Sequence, residues 1–324
     1  MDYSVVIRTL GKSGEMFAKT IHSLQLQSIK PKQVVVYIAE GYPLPKERTS
    51  YEKYVRVPKG MVSQRALSYE EIDSEYVLFL DDDVFLPEDA VEKLYNYLMA
   101  HNADVIAPDV FDHIHRSSLT KLKMALIGKS YARGDDRIWG YKALRNGGYS
   151  YNAHPSLDVY VSQLNAGPCF FCSKSTFISI RFEDEVWLDE THYALPEDQV
   201  MFYKFYKCGY KVLTAFNTGI IHLDAGSTIN TTSDRACKVS YSESRNKLIY
   251  WHRYLYLPDS WCYKIVDLIS LIITNIVRLS LMLIKFKWAE ASSWINGLRD
   301  GIRYIKSEEY KHLPLIPNNE SCYE

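Results

Sequence analysis

Three consecutive aspartates are the residues of this sequence best placed to do chemistry. Asp81, Asp82 and Asp83 directly follow the apolar run 76–80, which predicts a buried strand. Carboxylate oxygens are the ligands that Mg²⁺ prefers, and they also suit Mn²⁺. Adjacent carboxylates repel one another, and a bound cation relieves that repulsion. The string therefore predicts a Mg²⁺ or Mn²⁺ site that could hold a diphosphate.

A second acidic pair lies at the start of a predicted helix, residues 197–208. Glu197 and Asp198 follow Pro196 there. Acidic side chains are stabilised at a helix N-terminus, so the position of this pair can be explained by helix stability alone. A carboxylate in that place could also be the general base that takes the proton from an attacking hydroxyl. One such base is enough for an in-line transfer with inversion.

The order of the predicted elements indicates the fold class. Apolar runs predict strands, and apolar residues at helical spacing predict helices between them. The predicted strands cover residues 4–7, 34–39, 76–80, 105–107, 166–173, 210–213 and 218–222, and the predicted helices cover 15–27, 61–68 and 87–100. This alternation favours an α/β protein with a mostly parallel sheet flanked by helices. Ligands bind such sheets beyond the carboxyl ends of the strands, which is where the aspartates lie.

Five segments, in order, resemble family 2 glycosyltransferases over roughly residues 3–250: SVVIRTLGKSGE, QRALSYEEIDSEYVLFLDDDVFLPED, NAGPCFFCSKSTF, PEDQVMFYKFYKCGYKV and IIHLDAGST. The resemblance implies a GT-A nucleotide-sugar-binding fold. It also implies an inverting enzyme that moves a sugar from a nucleotide-diphosphate sugar donor to an acceptor hydroxyl. The segment SESRNKLIYWHRY resembles bacterial members that build surface polysaccharides. A saccharide or a lipid-linked saccharide is therefore the expected acceptor.

The resemblance assigns the residues around the metal by position. It implies that Asp81 and Asp83 bind Mg²⁺ or Mn²⁺ and that Asp82 lies beside the nucleotide diphosphate. His222, after the predicted strand 218–222, matches a position that can reach the metal or the diphosphate. A single histidine after a strand is equally compatible with a structural role.

The remaining implied residues bind the nucleotide or carry the catalysis. Asp198 matches the catalytic base and Glu197 is its neighbour, while Arg65 matches an arginine that packs near the nucleotide. Glu40 stands where the second strand of the family usually ends in aspartate. Thr9 follows Arg8, where the family more often has proline. These departures leave uridine, thymidine and guanosine donors open.

Other functions remain compatible with the aspartates. The strand and triplet also resemble haloacid-dehalogenase phosphatases, in which Asp81 would attack phosphorus and Asp83 would act as acid and base. That family needs a later acidic pair, and Gly134–Asp136 is the nearest candidate. A nucleotidyltransferase would use a glycine-rich basic loop, for which residues 11–14 offer a thin candidate. A non-catalytic sugar-nucleotide-binding module is the third alternative.

Length and charge set the outer limits. The 324 residues suffice for a catalytic domain at 1–245, with an acceptor-facing insertion at 109–163, and a helical appendage at 246–324. The formal net charge of -1 gives no global field that favours nucleic acid as a partner.

The apolar run 265–284 predicts contact with a membrane surface. It is long enough to span, but it contains Asp267, Asn275 and Arg278. At helical spacing, one face carries Asp267, Ser270, Thr274, Arg278 and Lys285, opposite a broad Leu/Ile face. That amphipathic pattern favours docking in an interface, while a buried helical hairpin and full spanning stay open. The basic stretch 116–148 could meet the same lipid headgroups. Scattered cysteines and the lack of a basic, apolar leader favour a cytoplasmic protein, peripheral at the inner face of the membrane.

Overall fold

The computed structural model describes residues 1–110, 122, 124–125, 127–131, 138–223 and 232–317. The strands are β1 (Tyr3–Thr9), β2 (Val34–Ala39), β3 (Glu52–Val57), β4 (Tyr76–Asp81), β5 (Val84–Phe85), β6 (Val105–Pro108), β7 (Lys129–Tyr131), β8 (Tyr141–Ala143), β9 (Tyr149–Tyr151), β10 (Val159–Ser162), β11 (Cys169–Ser173), β12 (Val212–Ala215) and β13 (Ile221–His222). The helices are α1 (Glu15–Gln25), α2 (Ala90–Ala100), α3 (Lys174–Ser179), α4 (Glu197–Lys207), α5 (Ser233–Trp251), α6 (Trp261–Ile284), α7 (Trp288–Ile305) and α8 (Glu308–His312), with a 3₁₀ segment at Phe182–Glu190 and a π turn at His252–Tyr256.

An eight-stranded mixed sheet in the order β10-β12-β6-β11-β4-β1-β2-β3 forms the centre of the described part of the chain. The strands β3, β2, β1 and β4 pair in parallel, and β12 pairs in parallel with β6. Strand β11 runs antiparallel between β4 and β6, and β10 runs antiparallel to β12. The α/β class with a GT-A-like sheet is confirmed, and the antiparallel β11 makes the sheet mixed.

Alternate residues of the central strands enter two apolar cores. Phe79 of β4 stacks on Phe170 of β11 at 4.4 Å between ring centroids, in the core that includes α4. Its neighbour Leu78 lies in the other core, with Leu94 of α2. Successive side chains of a strand point to opposite faces, so a strand covered on both faces is apolar throughout. This explains why β2 is buried along its whole length.

Two predictions of local structure were wrong. Residues 61–68 form turns instead of a regular helix, and the Asp189 carboxylate holds their start by accepting hydrogen bonds from the amides of Val62 and Ser63 at 3.1 and 2.9 Å. Strand β3 was not predicted, since its sequence EKYVRV at the edge of the sheet has neither an unbroken apolar run nor a regular alternation. Both errors fall where a distant segment determines the local structure.

The predicted insertion at 109–163 is described in part. A small sheet in the order β7-β9-β8 occupies this region, and the hydroxyls of Tyr141 and Tyr151 donate to Asp109 at 3.2 and 3.0 Å. These bonds hold the small sheet against the end of β6. Within the basic stretch 116–148, residues 116–121, 123, 126 and 132–137 lie outside the described residues, and with them the candidate acidic pair Gly134–Asp136.

The C-terminal helices form a layer of their own. Helix α5 runs through the predicted boundary at residue 245 and packs closely against α7. Gly297 of α7 permits this approach, because a Cβ at that position would lie 2.0 Å from the Ser244 hydroxyl. Helix α6 joins the layer through Trp294 of α7, whose indole donates to the Asn275 side chain at 2.9 Å. The boundary at 245 stays a prediction.

Candidate active site

The carboxyl ends of β1 and β4 bring the predicted site residues together. The two strands are parallel neighbours in which Arg8 is paired with Asp81, so the residues after each strand emerge side by side. The turns at 60–66 and the first turn of α4 close over this edge. In doubly wound sheets this edge is where ligands bind.

Arg8 links the aspartate triplet to the Glu–Asp helix. Its Nε and Nη2 donate to the two carboxylate oxygens of Asp81 at 2.5 and 3.2 Å. Its Nη1 donates to Glu197 Oε1 at 2.8 Å. The bidentate pairing with Asp81 fixes the relative orientation of the guanidinium and that carboxylate. The carboxylate of Asp81 therefore faces guanidinium groups, and its role as a metal ligand stays a prediction, as do those of Asp83 and His222.

Arg65 completes the charged cluster from the opposite side. Its Nη1 donates to Glu197 Oε1 at 2.7 Å and lies 3.5 Å from Asp198 Oδ1. Its Nη2 donates to the Gly167 carbonyl at 2.9 Å and lies 3.5 Å from Asp81 Oδ1. Arg65 thus contacts both the first turn of α4 and the triplet, and its predicted place near the nucleotide stays a prediction.

The acids of this cluster differ in proton affinity. Burial raises the pKa of Asp81, but the attraction of Arg8 outweighs it and the net pKa is lowered. Burial raises the pKa of Glu197 to about 7, against the lowering effects of Arg65 and Arg8. Desolvation disfavours a charged carboxylate unless its partners compensate fully. Glu197 is therefore a buried bridge between Arg8 and Arg65 and not a group open to substrate.

Asp82 is held by the end of β1. The Thr9 hydroxyl donates to Asp82 Oδ2, and the amide of Gly11 donates to Thr9 Oγ1 at 2.7 Å. Burial raises the pKa of Asp82 to about 6, partly offset by hydrogen bonds from Thr9 and Ser13. Thr9 thus orients Asp82, which is the predicted diphosphate-side residue.

Asp83 and His222 form a second pair beside the triplet. His222 Nε2 lies 3.0 Å from Asp83 Oδ1. The short strands β5 and β13 hold this pair, because they pair antiparallel and the Leu223 amide donates to the Asp83 carbonyl at 2.8 Å. The carboxylate and the imidazole therefore meet at a defined point, as the prediction for a metal site requires.

The donor set at this point fits a cation that is shared with a phosphate ligand. Within the described ranges no group of three or more His, Cys, Asp or Glu side chains is arranged to enclose a metal. Mg²⁺ is commonly bound through one or two carboxylates together with substrate phosphates, without a cage made only of protein. Asp83 and His222 supply two such donors. The residues present therefore suit a Mg²⁺ or Mn²⁺ ion that arrives with a diphosphate.

Asp198 is the most accessible acid of the cluster. Its side chain is 36% exposed, while that of Glu197 is 4% exposed. Gly167 lies against it, since a Cβ at position 167 would be 1.9 Å from Asp198 Oδ1. The absence of a side chain at 167 leaves room for the carboxylate. Asp198 is therefore the acid that a substrate hydroxyl could reach.

Glu40 stands apart from the charged cluster. It follows β2 at the same edge of the sheet and is exposed, and its backbone amide donates to the Val57 carbonyl at 2.9 Å. It lies two strands away from β4. The structure therefore places Glu40 at the rim, where a nucleoside could pass, but not beside the aspartates.

Sequence reasoning missed Asp189 as a supporting residue. Its carboxylate accepts from the Ser63 hydroxyl at 2.8 Å in addition to the two amides of the turn. Gly60 is required next to it, because a Cβ there would lie 2.1 Å from Asp189 Oδ2. Asp189 thereby positions the turns that carry Arg65. Its place eight residues before Glu197 gives no signal in the sequence by itself.

The sheet, the triplet at the end of β4 and the acids at the start of α4 define a GT-A-like fold with a cluster of acidic and arginine side chains at the carboxyl edge of its sheet. Residues 4–150 match the family model of glycosyl transferase family 2, which confirms the resemblance for the first two of the five segments. The crystal structure of S. aureus TarS is similar, with a TM-score of 0.51 and 13% identity, over 95% of this chain and 50% of that one. At this identity the likeness shows the fold alone, and the chain spans about half the length of that structure. A search of curated proteins gives no match.

We expect Arg65→Met to destabilise the protein strongly. Arg65 is 4% exposed, and its loss leaves buried Glu197 with one cationic partner instead of two. Removing one partner of a buried ion pair costs about 3–5 kcal/mol. Urea unfolding should show this loss in the free energy of unfolding.

Lys93→Met is the matched control for this measurement. Lys93 pairs with Asp89 on the surface, with side chains 43% and 52% exposed, so its loss should cost less than about 1 kcal/mol. Equal effects of the two substitutions would contradict a structural role for the buried cluster.

Proposed function

We propose that this protein is an inverting glycosyltransferase that moves a sugar from a nucleotide-diphosphate sugar to a hydroxyl of a saccharide or lipid-linked saccharide. The observation that carries the proposal is the convergence of the triplet and the Glu–Asp helix on two shared arginines. Arg65 lies within 3.5 Å of both Asp81 and Asp198. A donor held at the triplet would therefore lie close to the accessible acid.

Each acid has a separate role in this proposal. Asp198 takes the proton from the acceptor hydroxyl as it attacks the anomeric carbon, and the bond to the diphosphate breaks on the opposite side. Glu197 stays buried and fixes the two arginines. A single displacement with one base inverts the anomeric configuration.

Asp83 and His222 would hold Mg²⁺ or Mn²⁺, and Asp82 would lie at the diphosphate. When bound, the ion would neutralise the negative charge on the leaving nucleoside diphosphate. Thr9 keeps Asp82 in place, and Glu40 and Arg65 line the two ends of the nucleotide region. The nucleoside of the donor is uridine, thymidine or guanosine, a choice that the departures in the sequence leave open.

The geometry disfavours the alternatives. A phosphatase would need Asp81 as a free nucleophile, yet both of its oxygens accept from Arg8. A nucleotidyltransferase would use the glycine-rich segment 11–14 to hold phosphate. Close packing already explains the glycine at position 11, because a Cβ there would lie 2.3 Å from the Pro43 carbonyl oxygen. The place of the enzyme in bacterial surface polysaccharide synthesis follows from the resemblance of the segment around α5.

Calorimetric titration with a panel of nucleoside diphosphates tests the proposal. One of them should bind in Mn²⁺ and bind much more weakly in EDTA, and the corresponding sugar nucleotide should be a donor whose product has inverted configuration. Release of inorganic phosphate from phosphomonoesters would favour the phosphatase. Tight binding with no turnover in the presence of a panel of saccharide and lipid-linked acceptors would favour the non-catalytic module.

A further inference from the structure

Helix α6 presents its polar face to the protein. Asp267 accepts from Arg145 Nη1 at 2.9 Å, and the Asn146 side-chain amide donates to the Thr274 hydroxyl at 3.0 Å. One turn further on, Arg278 donates to Glu243 at 2.8 Å. Asp267, Thr274 and Arg278 of the polar stripe thus hold this helix to the folded domain.

The apolar face of α6 points away from the protein. Only 17% of its most apolar stretch is buried. Seven side chains on this face are between 44% and 58% exposed: Ile265, Val266, Leu268, Ile269, Ile272, Ile273 and Ile276. A surface helix of a soluble protein has the opposite arrangement, with its apolar stripe toward the core. The buried-hairpin alternative therefore does not hold for this face.

Aromatic and basic side chains stand at both ends of the apolar face. Trp261 is 75% exposed at the start of α6, and Phe286 and Trp288 are 80% and 61% exposed beyond its end. Lys264 and Lys285 lie at the same two ends. Trp is enriched at the boundary between hydrocarbon and headgroups, and lysine there attracts anionic lipid. Ends of this kind match a bilayer surface better than the apolar centre of a protein dimer.

Charge supports the same occupant. Between residues 261 and 289 the only acidic side chain is Asp267, which is 1% exposed and faces the protein. Helix α7 adds three exposed apolar side chains at seven-residue spacing, Trp288, Ile295 and Ile302. A face that is apolar and cationic, with its one acid turned inward, is complementary to an anionic lipid surface.

The contacts of the polar face decide between lying on a membrane and crossing it. With 24 residues, α6 is about 36 Å long, which is enough to span. However, its attachments at 267, 274 and 278 extend over about 16 Å of the helix. Crossing would carry Arg145 and Glu243 of the folded domain into hydrocarbon or break their ion pairs. The helix is therefore fixed along the surface of the domain.

We infer that the exposed faces of α6 and α7 form a membrane-docking surface, with α6 lying in the plane of an anionic phospholipid bilayer. This inference goes beyond the proposed transfer reaction and holds whatever the acceptor is. It gives the expected position of the protein, at the inner face of the cell membrane, a structural basis. The apolar side chains enter the hydrocarbon boundary while the ion pairs behind them stay within the protein.

Vesicle flotation with the full chain tests this inference. The protein should float with vesicles made of equal parts phosphatidylcholine and phosphatidylglycerol, bind pure phosphatidylcholine much less, and be released by high salt or alkaline carbonate. The double variant Ile269→Asp/Ile273→Asp should lose binding by about tenfold or more, because two charges would enter the apolar boundary. Lys285→Glu should weaken binding to the anionic vesicles selectively.

The control is Ile178→Asp/Val186→Asp, which changes two exposed apolar residues elsewhere, 43% and 52% exposed, and should float like the wild type. Circular dichroism and nucleotide binding should be the same for all variants, which separates lost docking from lost folding. Failure of the wild type to float at low salt would overturn the inference. So would a dimer in sedimentation equilibrium that Ile269→Asp/Ile273→Asp dissociates, or membrane binding that resists carbonate.

Discussion

Asp198→Asn is expected to reduce the rate of sugar transfer by about 10²-fold or more, while donor affinity changes little. The amide keeps the size of the side chain but cannot accept the proton of the acceptor hydroxyl. Asp198 is the accessible acid of its pair, and its contact with Arg65 at 3.5 Å is long, so the fold does not depend on its charge. Initial rates of transfer and calorimetric donor affinity measure the two effects separately.

Two further variants sharpen this test. Asp234→Asn changes an exposed acid in the first turn of α5, the matched place on another helix, and should leave transfer unchanged. Gly167→Ala puts a Cβ within 1.9 Å of Asp198 Oδ1, so it should displace the base and also slow transfer. Loss of donor binding as severe as the loss of transfer would instead assign Asp198 to donor contact. A product with retained configuration would exclude the single-base scheme.

The elements whose structure depends on local apolar pattern could be predicted well. Strand β2 has the predicted bounds 34–39, because a strand buried on both faces shows an unbroken apolar run. The end of β4 at the aspartates was also predictable, since apolar residues give way there to charges. These features carry the site, so its position at the edge of the sheet followed from the sequence.

The partners of charged residues could not be predicted in the same way. Arg8 and Glu197 are 189 positions apart, and nothing local indicates that they meet. The turns at 61–68 have the apolar spacing of a helix, and nothing local indicates that they bind Asp189, 126 and 127 positions away. Long-range hydrogen bonds of this kind decide the local structure only after the chain has folded.

Helix α6 shows a similar limit. Its periodicity indicated one polar and one apolar face, but not which of them contacts the protein. The usual rule places the apolar face inward. Here Arg145, Asn146 and Glu243 supply polar partners along the helix, so the polar face is satisfied inside and the apolar face is left outside. Those partners lie far away in sequence, and only the folded chain reveals them.

Asp83→Ala is expected to abolish transfer and to weaken nucleoside diphosphate binding far more in Mn²⁺ than in EDTA. Asp83 and His222 meet at 3.0 Å, whereas Asp81 is engaged by Arg8, so the loss of Asp83 removes the carboxylate donor of the proposed metal site. Without the ion, the negative charge of the leaving diphosphate would stay uncompensated. Calorimetry in the two buffers measures the difference in affinity.

Asp89→Ala, which changes an exposed acid next to α2, is the matched control and should bind the nucleotide like the wild type. Equal affinity of the wild type in Mn²⁺ and EDTA would contradict the metal site, and an Asp83→Ala variant that binds poorly in both buffers would show that Asp83 supports the fold of the β5–β13 turn instead.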